Sequence, residues 1–382
     1  MNWVTCRTIN STQKMQPSTR PTTSSIPHDE EYLVLSPAGN GSYHYNRSNS
    51  PNNRELSEFL LKQHEGAGAC TLTSSGMQAI SAVLHGLAMH FKKTNFNFIY
   101  ADELYCDSPR LFNWFGSVNE KVKFISFDMT NSLELVNIFE NVKGECNVLF
   151  FESCSNPNGN VFDFTLLDKL KKLSKSLHVI VDNTWLTHEV FNPFSVKLVD
   201  FVVTSLTKYY SAGHCIGGAV MSRSKTLMKN VFDWMIVNGN HVSPHHSELV
   251  YKNAQNLKER IAHSSALTIK VIDYLVKNQK VLGVNHPYVT KKKDPKVKLP
   301  FKNGLYPSVL TFKVKGKKDE VLKVLSAATV VEHKTSFGSK MSRTDPWPKT
   351  EDGFTWVRLA VGFEDSYDRV VKGLEEILSH LE

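Results

Sequence analysis

FVVTSLTKYYSAGHCIGGAVM, residues 201–221, decides how the rest of the chain is read. It opens on an apolar, β-branched run, Phe201-Val202-Val203, which predicts a short buried strand. Hydroxyls and one lysine follow, Thr204-Ser205-Leu206-Thr207-Lys208, and then a turn through Gly213, Gly217 and Gly218. A strand that stops at such residues is how an α/β protein presents groups at the carboxyl edge of its sheet. Upstream, the apolar run HVIVDNTW carries Asp182. An aspartate and a lysine thus stand at the ends of two nearby strands, with Ser205 and Thr207 able to receive a phosphate. That is the pattern of a site holding a charged aromatic cofactor through a Schiff base.

The totals set limits. With 382 residues and 41% hydrophobic content, the chain has room for one sizeable core and a smaller second one. No stretch approaches the roughly 20 apolar residues that cross a bilayer, so no membrane partner is expected. Six cysteines without a CxxC pair read as free thiols in a reducing compartment, and a cytoplasmic location is expected. Net charge is +8, but its local excess, KKKDPKVK at 291–298 and KGKK at 315–318, has no aromatic interleaving, so no nucleic acid is expected. His241, His245 and His246 invite a metal, yet no cysteine or well-spaced carboxylate completes a ligand set. Residues 1–28, basic and rich in Ser, Thr, Gln and Pro, read as a disordered tail, with an organelle targeting segment as the alternative.

Four regions follow: the tail 1–28, an N-terminal arm 29–54, a large domain 55–245 and a small domain 246–382 that opens on a linking helix. Asparagine, serine and proline between 46 and 53 argue against regular structure and place the first helix start near Arg54. EGAGACTLTSSGM, 65–77, is a short strand ending in a hydroxyl–glycine turn. A helix over 76–90 then puts Met77, Ile80, Val83, Leu84 and Leu87 on one side. Free N–H groups at such a helix start bind phosphate, although Ser75 also reads simply as a cap. The strand VLFFES, a helix near 163–175 and a strand at 178–182 set a β-α-β rhythm, and parallel strands with right-handed crossovers are expected. Neither G-x-G-x-x-G nor a Walker motif is present. Towards the C-terminus, GLYPSVLTFKVKG, KDEVLKVLSAA, FTWVRLAVGFED and SYDRVVKGLEEILSHL alternate strand and helix as a smaller α+β layer.

V-D-N-T, then T-S-L-T-K-Y and G-H-x-x-G-G, resemble the Cys/Met-metabolism (trans-sulfuration) family of pyridoxal-phosphate (PLP) enzymes, which includes cystathionine γ-lyases and γ-synthases. The resemblance runs from about residue 40 to 380 in consistent order. It implies a fold type I α/β architecture, with a mostly parallel seven-stranded-type sheet, and PLP carried on Lys208. It further implies that Asp182 pairs with the ring nitrogen, and that Ser205, Thr207 and the backbone of Gly76 and Met77 hold the phosphate. Y-x-R-x-x-S-P-N resembles the family's arm motif, so Tyr45 and Arg47 are expected to reach the cofactor phosphate of a neighbouring subunit. The partner is then a second copy, in a homodimer with shared sites; family members are commonly homotetramers.

Tyr105 matches the tyrosine that stacks on the ring and takes part in proton transfer, but Cys106-Asp107 replaces two glycines there and puts an acid beside the substrate space. Asn156, in S-N-P, is expected on the cofactor's phenolic oxygen. Arg358, in R-L-A-V-G-x-E-D, is expected to grip the substrate α-carboxylate. T-S-F-G-S-K-M-S resembles S-L-G-G-x-E-S, which places Ser336 in the substrate pocket and Met341 where several lyases carry glutamate. In the linking helix Arg260 matches, whereas Ser264 takes the place of a histidine and His263 lies one position early. The implied activity is C–S elimination from a sulfur amino acid, cystathionine γ-lyase-like. γ-Replacement, as in a γ-synthase or O-acylhomoserine sulfhydrylase, is the alternative. An aminotransferase and a non-catalytic protein on the same fold are weaker readings, the latter because Lys208, Asp182, Arg47 and Arg358 are all present.

Overall fold

The computed structural model describes residue 47, residues 50–351 and residues 353–381. The tail 1–28, Tyr45 and most of the arm lie outside the described residues. Seven strands build the larger sheet: β1 (Ala69–Thr73), β2 (Phe96–Ala101), β3 (Val122–Phe127), β4 (Cys146–Glu152), β5 (Ser176–Asp182), β6 (Val199–Ser205) and β7 (Gly218–Ser222). Their order is β1-β7-β6-β5-β4-β2-β3. All neighbours run parallel except β7, which is antiparallel to both β1 and β6. The expected fold type I architecture, a mostly parallel seven-stranded sheet, is what the chain adopts.

β4 is buried at every position, as a strand covered on both faces must be, and its apolar run VLFF supplies that cover. The first helix, α1 (Pro51–Gln63), begins before Arg54, where the turn-forming residues predicted irregular chain. Those residues build the helix start instead. The Ser50 hydroxyl accepts the Asn53 N–H at 3.1 Å, and Pro51 stands at the first position, where no N–H is needed. The Asn52 and Asn53 amides then tie α1 to Glu248 and to the Val242 carbonyl. Helix α2 (Gly76–His90) has the predicted span and buries Ala79, Ile80, Ala82, Val83, Leu84 and Leu87. The helix expected near 163–175 is a 3-10 turn, Phe164–Leu166, followed by Leu167–Leu173.

The smaller sheet has five strands: β8 (Gly283–Asn285), β9 (Val309–Lys315), β10 (Glu332–His333), β11 (Arg343–Glu351) and β12 (Phe354–Ala360). Their order is β10-β11-β12-β9-β8, and only β10 and β11 pair in parallel. Its core of Leu310, Phe312, Val357 and Leu359 packs with Leu374 and Ile377 of the last helix and with Val271 and Leu275 of the long helix Leu257–Lys277. That long helix also sends Leu257 and Ile261 into the larger core, so one rigid element joins both.

Gly86 lets α2 lie against the helix Lys225–Asn238: a Cβ there would meet Val231 Cγ2 at 2.7 Å and Val231 N at 3.0 Å. Alanine in a helix interior gains up to about 1 kcal/mol over glycine, but overpacking costs about 1–3 kcal/mol, so the clash wins. Gly86→Ala is expected to lower the thermal midpoint by roughly 2–5 °C. Gly86→Ala/Val231→Ala is expected to recover less than it loses, because the 3.0 Å contact is to backbone; calorimetry of the three variants reads both effects.

Candidate active site

Three adjacent parallel strands end close together: Glu152 closes β4 opposite Asp182, which closes β5, and β6 runs two residues further to Ser205. A cavity of 280 Å³ lies beyond these ends. Its walls include Gly76, Met77, Tyr105, Asn156, Asp182, Ser205, Thr207, Lys208, Ser336 and Arg358. The structure thus gathers ten of the residues singled out from sequence around one space.

Asp182 is only 9% exposed, and its Oδ1 accepts the N–H and hydroxyl of Thr184 at 2.9 and 2.6 Å. The Thr184 hydroxyl in turn accepts the Ser205 N–H at 2.8 Å, fixing the ends of β5 and β6 to each other. Burial pushes the Asp182 carboxyl up from 3.8 to about 6 against the pull of these donors. Glu152, paired with Asp182 in the ladder, accepts the Tyr105 N–H at 2.6 Å. Its other oxygen, Oε2, is buried and meets no donor among the described residues. Burial first, and then Asp182, drive its pKa well up. Two carboxyls in one apolar setting cannot both ionise cheaply.

Lys208 lies on the turn after β6, and its Nζ donates to Ser336 Oγ at 2.9 Å. Burial, then the Arg358 and Arg343 guanidiniums, lower its pKa, which favours the neutral amine that nucleophilic and base chemistry require. Arg260 of the long helix donates to the Tyr209 carbonyl at 2.7 Å and so braces the lysine turn. Exposed His263 meets the Asp365 carbonyl at 2.8 Å and does not line the cavity. Arg358, 5% exposed, donates to Asn156 Oδ1 at 3.4 Å and to Thr335 Oγ1 and Asp345 Oδ2 at 3.2 Å each. Trp347 lies 5.2 Å from its guanidinium.

At the other end, α2 begins against β6. A Cβ on Gly76 would stand 2.7 Å from Ser205 Cβ, so only glycine permits this approach. The first N–H groups of a helix have no partner within it, and they open here beside Ser75 and Ser205. Thr207 Oγ1 is engaged by the N–H and carbonyl of Gly217, both at 3.2 Å. Tyr105 is 41% exposed at the cavity mouth, and burial, Asp107 and Cys106 keep it a phenol.

Three singled-out residues stand elsewhere. Asp107 pairs with Arg110 at 2.6 Å and does not line the cavity. Met341 is 38% exposed and also outside its lining. Arg47 is exposed and donates to the Ile236 carbonyl at 3.1 Å. Conversely, Glu152, Thr184, Trp185, Thr335 and Phe337 line the cavity without having been singled out. Glu152 was within reach of the sequence, since an acid that closes VLFF must be buried or meet a site.

These residues fit PLP. An amine inside the cavity, a buried carboxylate at one end and a glycine-bared helix start at the other match its aldehyde, ring nitrogen and phosphate. The family profile described as Cys/Met metabolism PLP-dependent enzyme matches residues 6–378. The chain belongs to this family. Among relatives of the Cys/Met-metabolism enzyme, a putative cystathionine γ-lyase of Caenorhabditis elegans is 26% identical over 338 residues, 87% of this chain and 83% of its own length. A cystathionine β-lyase of Coxiella burnetii is 26% identical over 381 residues, 97% and 94% of the two chains. In fold, the enzyme superposes on a methionine γ-lyase from Micromonospora echinospora with TM-score 0.79 at 22% identity, over 97% of this chain and 96% of that one.

The raised Asp182 pKa has a consequence for stability without cofactor. A carboxyl whose folded pKa exceeds its unfolded value contributes stability below about pH 4 that is lost as pH rises through about 6. Asp182→Asn keeps the Oδ1 acceptor and removes this titration. Stripped of cofactor, the variant is expected to gain more in thermal midpoint over the parent at pH 7.5 than at pH 4.5. Equal differences at the two pH values would refute the assignment.

Proposed function

We propose that this protein is a PLP-dependent C–S lyase that eliminates a thiol from a sulfur α-amino acid, cystathionine γ-lyase-like. The observation that carries the reading is one cavity shared by Lys208, Asp182 and Arg358: an amine, a buried acid and a carboxylate clamp. Relatives named as cystathionine γ- and β-lyases support elimination.

When bound, PLP supplies the electron sink for charge left at Cα. The chain would hold it through Lys208, with Asp182 at its ring nitrogen, Asn156 at its phenolic oxygen and the α2 start with Ser205 and Thr207 at its phosphate. Arg358 grips the α-carboxylate and so orients the Cα proton towards Lys208, whose lowered pKa lets the amine accept it. Trp185, Phe337, Ile80 and Ile216 line the cavity and limit water at the reacting bonds. The balance is one amino acid and one water giving a thiol, ammonia and an oxo acid. γ-Replacement is the second reading, because it would use the same Lys208, Asp182 and Arg358.

The test is the purified protein with PLP, challenged with cystathionine, methionine, cysteine, and O-acylhomoserine plus cysteine. Ammonia and oxo acid from a sulfur amino acid are expected, with Lys208→Ala lowering the rate by a factor of about 10³ or more. Thioether formation with negligible elimination would leave the replacement reading instead.

We further propose a dimer in which the Tyr45/Arg47 arm completes the neighbour's site. Mixing inactive Lys208→Ala with inactive Arg47→Ala subunits is expected to restore activity, since each hybrid dimer would carry one intact site. Verified hybrids that recover nothing would place the arm's role within its own subunit.

A further inference from the structure

β11 and β12 pair so that Asp345 lies opposite Arg358 and Arg343 opposite Ala360. Side chains paired across a ladder share a face, and residues two apart on a strand do also. Arg343, Asp345 and Arg358 therefore project from the same face of the small sheet, with the two arginines as diagonal neighbours. Arg343 Nη1 donates to the Thr335 carbonyl at 3.1 Å, and the hydroxyl of that same Thr335 accepts from Arg358. Arg343 Nε is buried and meets no acceptor among the described residues. Arg343 does not itself line the cavity, but Thr335, which it touches, does; its guanidinium is close enough to Lys208 to help depress the lysine's pKa, and burial lowers its own.

The charges on this wall do not balance. Here Lys208, Arg358 and Arg343 outnumber Asp345, which Arg358 and partly buried His333 already share, His333 at 3.6 Å, and Glu332, which acts on Arg343. Glu152 and Asp182 stand across the cavity at the ends of the large sheet, and Asp107 is paired with Arg110. Glu332, beside Arg343 in the ladder, is itself paired with Lys334. Met341, two residues before Arg343, offers no acid for a distal ammonium.

We propose that Arg343 is a specificity-determining residue that reads a second anionic group on the substrate, selecting α-amino acids with an acidic side-chain end over neutral-ended ones. This rests on the reading that the cavity takes an α-amino acid with its carboxylate on Arg358. A guanidinium with an unmet buried N–H gains a charge-assisted hydrogen bond from such a group, whereas a neutral tail leaves that donor unpaired. A purely bracing role, through the Thr335 carbonyl and Glu332, gives no reason for ligand discrimination.

Two arms test this on the holoenzyme. In the first, calorimetry compares L-2-aminoadipate with L-norleucine, a pair differing at the side-chain end. Aminoadipate is expected to bind roughly 10- to 100-fold more tightly, a preference that Arg343→Met erases and Arg343→Lys keeps in part. In the second, O-succinyl-L-homoserine and O-acetyl-L-homoserine are compared as substrates with cysteine. Arg343→Met is expected to raise KM for the succinyl ester about tenfold or more while changing that for the acetyl ester less than about twofold. Parent enzyme that binds norleucine as tightly as aminoadipate, or an Arg343→Met variant that weakens both ligands equally, overturns the proposal. If Arg343→Met fails to fold, Arg343→Gln takes its place, and the parent comparison needs no variant. No turnover of either ester together with a retained aminoadipate preference would count against the replacement reading and leave the Arg343 assignment standing.

Discussion

The hydrogen bond from Lys208 Nζ to Ser336 Oγ, 2.9 Å long, joins the edge of the large sheet to the segment between β10 and β11 of the smaller one. For it to form, residues 336–338 must lie against the backbone of Lys208 and Tyr209. Gly338 makes that possible at φ +75°, where a Cβ would stand 2.7 Å from Tyr209 N. Ser336 itself adopts φ +77°, a left-handed conformation that costs a non-glycine residue about 1–2 kcal/mol. Rings on either side hold it there: Phe337 packs edge-on to Trp185 at 5.7 Å and tilted against Tyr209 at 5.5 Å. Arg260 secures the Tyr209 carbonyl from the long helix that enters both cores. The lysine's position is thus set by both halves of the molecule at once.

The site's charges come from both sheets as well. Glu152 and Asp182 close strands of the large sheet, Lys208 follows β6 of that sheet and Arg358 comes from the smaller one, and burial penalises each in the direction expected for its sign: Asp182 and Glu152 up, Lys208 and Arg358 down. A molecule bearing a protonated ring nitrogen at one end of the cavity and a carboxylate at the other relieves both penalties together. The cavity is electrostatically incomplete by itself, which is how a site binds a charged cofactor and substrate instead of merely tolerating them.

The cofactor end was legible in the sequence because its physics is local. A β-branched run stopping at Ser205, Thr207 and Lys208, and a helix opening on Ser75-Gly76, state their geometry within a few residues. The substrate wall was not legible in the same way. β11 carries Pro346 and its register shifts before Thr350, so TDPWPKT gives no strand alternation, and the face shared by Arg343, Asp345 and Arg358 exists only once β11 meets β12. The start of α1 was misread for a related reason: Ser, Pro and Asn are turn formers and helix-starters alike, and tertiary partners at Glu248 and Val242 decide which. Asp107 opens helix α3 (Asp107–Val118), where it pairs with Arg110 one turn on and also acts on Tyr105 of the cavity lining, a double engagement that its place in the sequence does not state.

Arg358 shows how such a wall stays ready for ligand. Its contact with Asp345 is a single 3.2 Å bond from one nitrogen, and its bond to Asn156 is long at 3.4 Å. Neither uses the planar fork that makes arginine pair strongly with a carboxylate. An α-carboxylate can offer two parallel acceptors, and a bidentate pair in a buried setting outweighs one off-centre contact with a partly exposed acid. On the proposed reading, Asp345 holds the guanidinium without competing strongly for it against a substrate carboxylate. A closer, two-point pair with Asp345 would have satisfied the arginine and removed its reason to bind anything else.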